Sequence, residues 1–111
     1  MLAKLIPDFI NYLTYEKRFS PHTIAAYQND LIQLETYIKQ QFEVDEVNLI
    51  NHLMIRSWLV EMMNEKVSSR SIGRKLSTLK TFYKYLLKEG IVTLSPLAKV
   101  QPPKMENYHQ N

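Results

Sequence analysis

Between residues 68 and 89 the sequence sets Arg70, Arg74, Ser77, Lys80, Thr81, Lys84 and Lys88 on one side of a 3.6-residue wheel. Ile72, Leu76, Leu79, Tyr83, Leu86 and Leu87 fall on the other side. The first set offers guanidinium, ammonium and hydroxyl donors, which is the chemistry of anion capture. Exposed helices ordinarily interleave Glu with Lys at four-residue spacing, yet no acid occurs from 70 to 88. The like-charged neighbours Arg70/Arg74, Lys80/Lys84 and Lys84/Lys88 therefore repel, by about a few tenths of a kcal/mol each, until an anion neutralises them. Gly73 shares this face, where it costs about 0.5 to 1 kcal/mol relative to Ala. Close approach of a phosphate to the backbone would use the missing side chain, and so would close packing of another helix. The structural alternative for the whole face is an ordinary solvated surface.

The total charge of +3 conceals a polarised chain. Residues 68–111 hold eight Lys/Arg against Glu89 and Glu106, a net of +6, whereas residues 1–67 hold six against nine acids, a net of −3. A basic ridge of that length can track a phosphate backbone, so nucleic acid is the first predicted partner. Arg70 and Arg74 stand one turn apart near the helix start, beside Ser69 and Ser71, where the backbone dipole also favours an anion. Either arginine could fork onto guanine or clamp a phosphate, and residue type leaves both open.

A second candidate surface comes earlier. His22, Ala25, Asn29, Gln33 and Thr36 form a polar helix face without an acid, which suits a groove and also suits plain solvent. His22 and Thr23 are candidate DNA contacts, with helix capping as the alternative role for Thr23. Lys17 and Arg18, in the preceding turn, are candidate phosphate contacts. Trp58, Tyr27, Phe82, Tyr83 and Tyr85 could stack on bases, but their core spacing favours packing. Asp30 and Glu35 are too isolated for a carboxylate dyad, and Asp30 is expected to be a structural hydrogen-bond acceptor. His22, His52 and His109 lack metal-ligand spacing, so no metal or other cofactor is expected.

These surfaces need rigid helices to carry them. With only two glycines and no β-branched alternation, the chain is expected to be all-α. The first helix should run from about residue 2 or 5 to 17, with Leu2, Leu5, Ile6, Phe9, Ile10 and Leu13 inward. Proline belongs in a first turn, so Pro7 places its regular part from about Ile6. The second starts at Ser20 as N-cap with Pro21 following, and turns Ile24, Tyr27, Leu31, Leu34 and Ile38 inward. An acidic connector with Glu43, Asp45 and Glu46 leads to a third helix, about 51–65, buried through Ile55, Trp58, Leu59 and Met62, with Met63 on the surface. The fourth begins behind Ser68 or Ser69 and ends at Gly90. Ser95-Pro96-Leu97 could add a short fifth helical turn. Short connections imply two helical hairpins packed across one another. Residues 1–100 read as one domain, and 101–111, with Pro102-Pro103-Lys104, as the start of a proline-stiffened linker.

At 111 residues, 45% apolar and 23% charged, the composition is that of a self-sufficient globular domain. The absence of cysteine fits a reducing cytoplasm, and no apolar run reaches the roughly 20 residues of a membrane span. A soluble, cytoplasmic protein without a membrane role is expected.

Three motifs, in order and spacing, resemble one family. Ser20-Pro21-His22-Thr23-Ile24-Ala25-Ala26-Tyr27-Gln28-Asn29-Asp30-Leu31 is similar to the S-x-x-T-x-x-x-Y-x-x-D-L signature of tyrosine recombinase core-binding domains. Ser68-Ser69-Arg70-Ser71-Ile72-Gly73-Arg74-Lys75-Leu76-Ser77-Thr78-Leu79-Lys80-Thr81-Phe82-Tyr83-Lys84-Tyr85-Leu86 resembles that family's fourth helix. Ser95-Pro96 and Pro103-Lys104 resemble its exit toward a catalytic domain. The resemblance implies a SAM-like four-helix bundle, the N-terminal arm of a phage-integrase-type, Xer-like enzyme. In that family the arm and a C-terminal catalytic domain close around a DNA half-site and touch neighbouring protomers. It implies major-groove contacts for His22, Thr23 and Ala26 and for Arg70, Ser71 and Arg74. Off DNA, the isolated arm is expected to be a monomer.

The same resemblance implies catalysis by Arg, Lys, a His-x-x-Arg pair, a further His or Trp and a nucleophilic Tyr, all in the C-terminal domain. Here His22 and His52 are followed three positions later by Ala25 and Ile55, and Tyr108 lies in the linker without catalytic neighbours. The chain is thus expected to bind DNA without cutting it. A helical module gripping an acidic protein is the rival reading.

Overall fold

A computed structural model describes residues 2–100. The linker expected at 101–111, with Tyr108 and His109, lies outside the described residues. Among those described there are four α-helices and no strand: α1 Leu2–Tyr15, α2 Pro21–Phe42, α3 His52–Asn64 and α4 Ser69–Lys88. Two 3₁₀ turns, Val47–Leu49 and Pro96–Lys99, complete the order.

Caps set most of the boundaries. The Ser20 hydroxyl accepts the Thr23 N–H at 3.2 Å, and Pro21, whose missing N–H costs nothing there, opens α2. Asn51 caps α3 by accepting from Met54 N, and Ser68 caps α4 by accepting from Ser71 N at 3.1 Å. At the other end of α4, Gly90 takes a left-handed φ of 74°. Its N–H bonds Leu87 O while Ile91 N–H bonds Leu86 O, the paired closure that leaves few helix-end carbonyls bare. Ser95 and Pro96 then start the final 3₁₀ turn, whose Leu97 is buried.

The first helix corrects an expectation. It runs unbroken through Pro7 from Leu2 and ends at Tyr15 rather than Lys17. Burial of Leu2, Leu5 and Ile6, with the Leu2 N–H bonded to Asp45 O at 3.0 Å, holds the turn ahead of the proline. Ala3, whose carbonyl loses its helical partner to Pro7, is exposed to water, and so is Pro7. At the far end Arg18 turns the chain with φ of 56°.

The core gathers all four helices. Phe9 of α1 meets Phe82 edge-on at 5.1 Å, Tyr85 at 5.3 Å and Tyr27 at 6.4 Å, so one ring joins α1 to α2 and α4. Leu31, Leu34, Ile38, Ile55, Trp58, Leu59 and Met62 close the interior from α2 and α3. Ile24 and Tyr27 are only half-buried, and Met63 is exposed. On α4 the buried sector is rotated from the expected one: Leu87 is 40% exposed, while Lys75, Thr78 and Phe82 are buried. Phe82, against Phe9 of α1, and the equally buried Tyr83 and Leu86 take the interior positions, and Leu87 is left outside.

Phe82 has no exposed surface and contacts rings from its own helix and from α1. Phe82→Ala is expected to lower the unfolding free energy by about 3 to 5 kcal/mol, read from urea denaturation followed by circular dichroism.

Candidate nucleic-acid interface

The rotation of α4 decides which of its polar residues face water. Ser69, Arg70, Gly73, Arg74, Ser77, Lys80, Lys84 and Lys88 are exposed along one strip, while Ser71 and Thr81 are half-buried at its margin. The residues expected on the basic face therefore share one surface, and Arg70, Lys80 and Lys84 have no carboxylate within ion-pairing distance among the described residues.

Arg74 departs from the uncompensated ridge that the sequence implies. Its Nε and Nη2 donate to the two Asp30 carboxylate oxygens at 3.3 and 2.6 Å. Asp30, on α2, is wholly buried and accepts further bonds from Lys75 Nζ at 3.0 Å and Thr78 Oγ1 at 2.8 Å. Lys75 in turn donates to Gln33 Oε1 at 2.6 Å. Asp30 is thus the structural acceptor that was expected, and the acid missing from α4 comes from α2. The repulsion between Arg70 and Arg74 is eased without any ligand. Lys75 was not singled out by the sequence; a lysine and a threonine at 75 and 78, flanking Ile72 and Leu79 in the apolar sector, are the signal that a buried acid must meet them.

The opening of α2 is split between capping and exposure. His22 is exposed and Ala26 half-buried. Thr23 is tied into the cap, since Ser20 Oγ donates to Thr23 Oγ1 at 3.0 Å as well as accepting its N–H. Lys17 and Arg18 are exposed, and the Lys17 ammonium lies 6.0 Å from the Tyr12 ring. Lys88 approaches the same ring at 5.0 Å. The aromatics pack rather than present faces: Trp58 and Tyr83 are buried, and the Tyr83 hydroxyl donates to Val47 O at 3.3 Å. Burial pushes that hydroxyl well above the usual tyrosine range.

Negative charge collects elsewhere. Asp8, Glu16 and Glu89 line a depression of about 360 Å³ with Tyr12, Tyr15 and Tyr85. Burial first, and then these carboxylates, hold the Tyr85 hydroxyl above its ordinary value. On α3 the Glu61 carboxyl is raised by its hydrogen bond to Glu65 and by that neighbour's charge.

Gly73 can be settled in part. A Cβ built on it meets nothing within 4 Å, so no neighbouring helix among the described residues packs there. Of the two explanations for a glycine inside α4, helix packing is removed.

An all-helical bundle with this strip has known relatives. The chain matches the family described as phage integrase, N-terminal SAM-like domain over residues 6–90, and it belongs to that family. It is 39% identical over 98 residues to the tyrosine recombinase XerC of Anoxybacillus flavithermus, covering 88% of this chain and 32% of that protein. It is 32% identical over 102 residues to the XerC of Listeria welshimeri, covering 92% and 34% of the two chains. To the tyrosine recombinase XerD of Rickettsia bellii it is 32% identical over 104 residues, covering 94% and 33%. The chain thus spans about a third of the length of the curated relatives it matches. No solved structure matches it. Among the described residues no helix is long and apolar enough to cross a membrane.

Gly73→Ala is expected to stabilise the free domain by about 0.5 to 1 kcal/mol, because the helix gains a better former and the added methyl meets open space. Urea midpoints of the two proteins measure it, and an unchanged or lower midpoint would contradict the packing found there.

Proposed function

We propose that this chain is the DNA-binding arm of a site-specific tyrosine recombinase, and that it grips a recombination half-site with the α4 strip and the opening turn of α2. The observation that carries this is the single solvent-facing strip of Arg70, Ser77, Lys80 and Lys84 on a chain of the phage integrase N-terminal family. Affinity comes mainly from neutralising phosphates along the duplex. Arg70, Lys80 and Lys84 supply charge on mobile side chains, with Lys17 and Arg18 as flanking contacts. His22, Ala26, Ser69, Ser71, Gly73 and Thr81 lie close enough to those cations in sequence to line the groove. Thr23 serves the α2 cap first and reaches DNA only through whatever its hydroxyl leaves free.

Residues 1–100 act as the binding arm, and 101–111 lead toward a catalytic domain. The arm supplies no catalytic group and needs no cofactor. The parent enzyme breaks and rejoins DNA strands through a 3′-phosphotyrosyl intermediate and a Holliday junction, in the cytoplasm, with further protomers on the same DNA. Alone and off DNA, the arm is a monomer.

If about five phosphates are neutralised, the logarithm of the association constant should fall with the logarithm of salt concentration at a slope of about −4.5. Fluorescence anisotropy on a labelled duplex from low to moderate salt gives that slope. A flat response, with binding to an acidic peptide instead, would favour a protein-interaction module. Arg70→Ala removes an exposed side chain that has no ion-pair partner among the described residues. It is expected to weaken DNA binding by about 1 to 3 kcal/mol across sequences while leaving the thermal midpoint unchanged. Wild-type affinity in this variant would take Arg70 out of the interface.

A further inference from the structure

We infer that Arg74 reads a guanine base edge and that Asp30 is the positioning residue that aims it, whereas the other cations of the strip act on phosphates. This rests on the DNA-binding reading above and divides its surface into two kinds of contact.

A guanidinium carries five N–H donors in one plane. Asp30 takes one edge of that plane, through Nε and Nη2. The adjacent end-on edge, made by Nη1 and the second N–H of Nη2, has no partner among the described residues, and the side chain is 48% exposed. Two parallel donors on that edge match the O6 and N7 acceptors that guanine alone presents in the major groove.

Rigidity separates Arg74 from its neighbours. Asp30 has no exposed surface and is itself held by Lys75 and Thr78, with Lys75 held by Gln33. The fork is therefore fixed by a buried network that reaches across two helices. Arg70, Lys80 and Lys84 are exposed and have no such backing among the described residues. A mobile cation follows a phosphate well, because a phosphate accepts from many directions. A planar base edge accepts from one direction, and an arginine already frozen in that direction loses less entropy on binding.

Charge points the same way. Pairing with Asp30 cancels part of the Arg74 charge, which weakens its pull on a phosphate. Its hydrogen-bond direction is kept. Arg74 thus suits selectivity, and the unpaired cations suit affinity.

The test selects sequences bound by this chain from a random duplex library, in parallel for wild type, Arg74→Lys, Asp30→Asn and Arg70→Ala. Wild type and Arg70→Ala should enrich a motif with one fixed guanine, discriminated by about 5- to 150-fold over other bases. Arg74→Lys keeps the charge and loses the fork, so it should enrich the same motif with that position relaxed and with an unchanged salt slope. Asp30→Asn should relax the same position; if it does not fold, Arg74→Lys still decides the role of Arg74, and urea midpoints identify that case. Replacing the selected guanine by 7-deazaguanine, which removes N7 and preserves pairing, should lower wild-type affinity and leave Arg74→Lys unaffected. Retention of the guanine by Arg74→Lys, or its loss in Arg70→Ala, overturns the inference while leaving DNA binding intact. A folded Asp30→Asn that keeps full discrimination overturns the positioning role. Failure of the wild type to retain any duplex overturns the DNA-binding reading itself.

Discussion

The buried carboxylate of Asp30 governs how α4 lies against α2. Taking an ionised carboxylate out of water is tolerable only when its lone pairs are filled, and here Lys75, Thr78 and the Nε and Nη2 donors of Arg74 fill them. The two cations do not contribute alike. Lys75 is nearly enclosed and stands to lose most if the acid is absent, whereas Arg74 is half in solvent and its share is correspondingly screened. Removing one partner of a buried pair of this kind costs about 3 to 5 kcal/mol, mostly as the penalty of a stranded charge. A network of this geometry also fixes rotation: α4 cannot turn about its axis without withdrawing residues 74, 75 and 78 from the same acceptor.

That rotation has a consequence for the opposite side of the helix. With Lys75, Thr78 and Phe82 drawn inward, residues 70, 73, 77, 80 and 84 are carried together to the outside, and Leu87 with them. The basic strip is the geometric complement of the Asp30 network. Apolar burial by Phe82, Tyr83 and Leu86 supplies the bulk of the adhesion, but burial alone is indifferent to a turn of a few tens of degrees. The polar contacts choose among the orientations that burial permits.

Much of this was legible from residue order. Serines at 20 and 68, a proline at 21 and a glycine at 90 carry helix starts and stops in their own chemistry, and each sits where the cap is found. The apolar stripes of α2 and α3 were visible because their period is regular. Pro7 misled, since its local rule was overridden by three buried side chains and one long-range hydrogen bond to Asp45. The left-handed turns at Arg18, Glu43 and Lys66 carry no glycine, so nothing local announced them. For the interface, the exposed cations could be read from the wheel, but the partner of Arg74 lies 44 residues away on another helix. Periodicity reports which side of a helix is wet; it does not report which distant acid reaches it.

The solvent-facing strip of α4 works against the stability of the free domain. Lys80, Lys84 and Lys88 repel along one side of α4, and a glycine interrupts it at a position where a methyl group would meet open space. Neither feature helps the isolated fold. Where one such clash could be relieved internally, at Arg70 and Arg74, an acid from α2 relieves it, and it does so on a single edge of the guanidinium. A site selected only for stability would complete the pairing with further acids on the strip itself. Asp8, Glu16 and Glu89 instead gather beside Tyr12, Tyr15 and Tyr85, and Glu61 on α3 meets Glu65, so among the described residues Arg70, Lys80 and Lys84 keep their charge without an internal carboxylate.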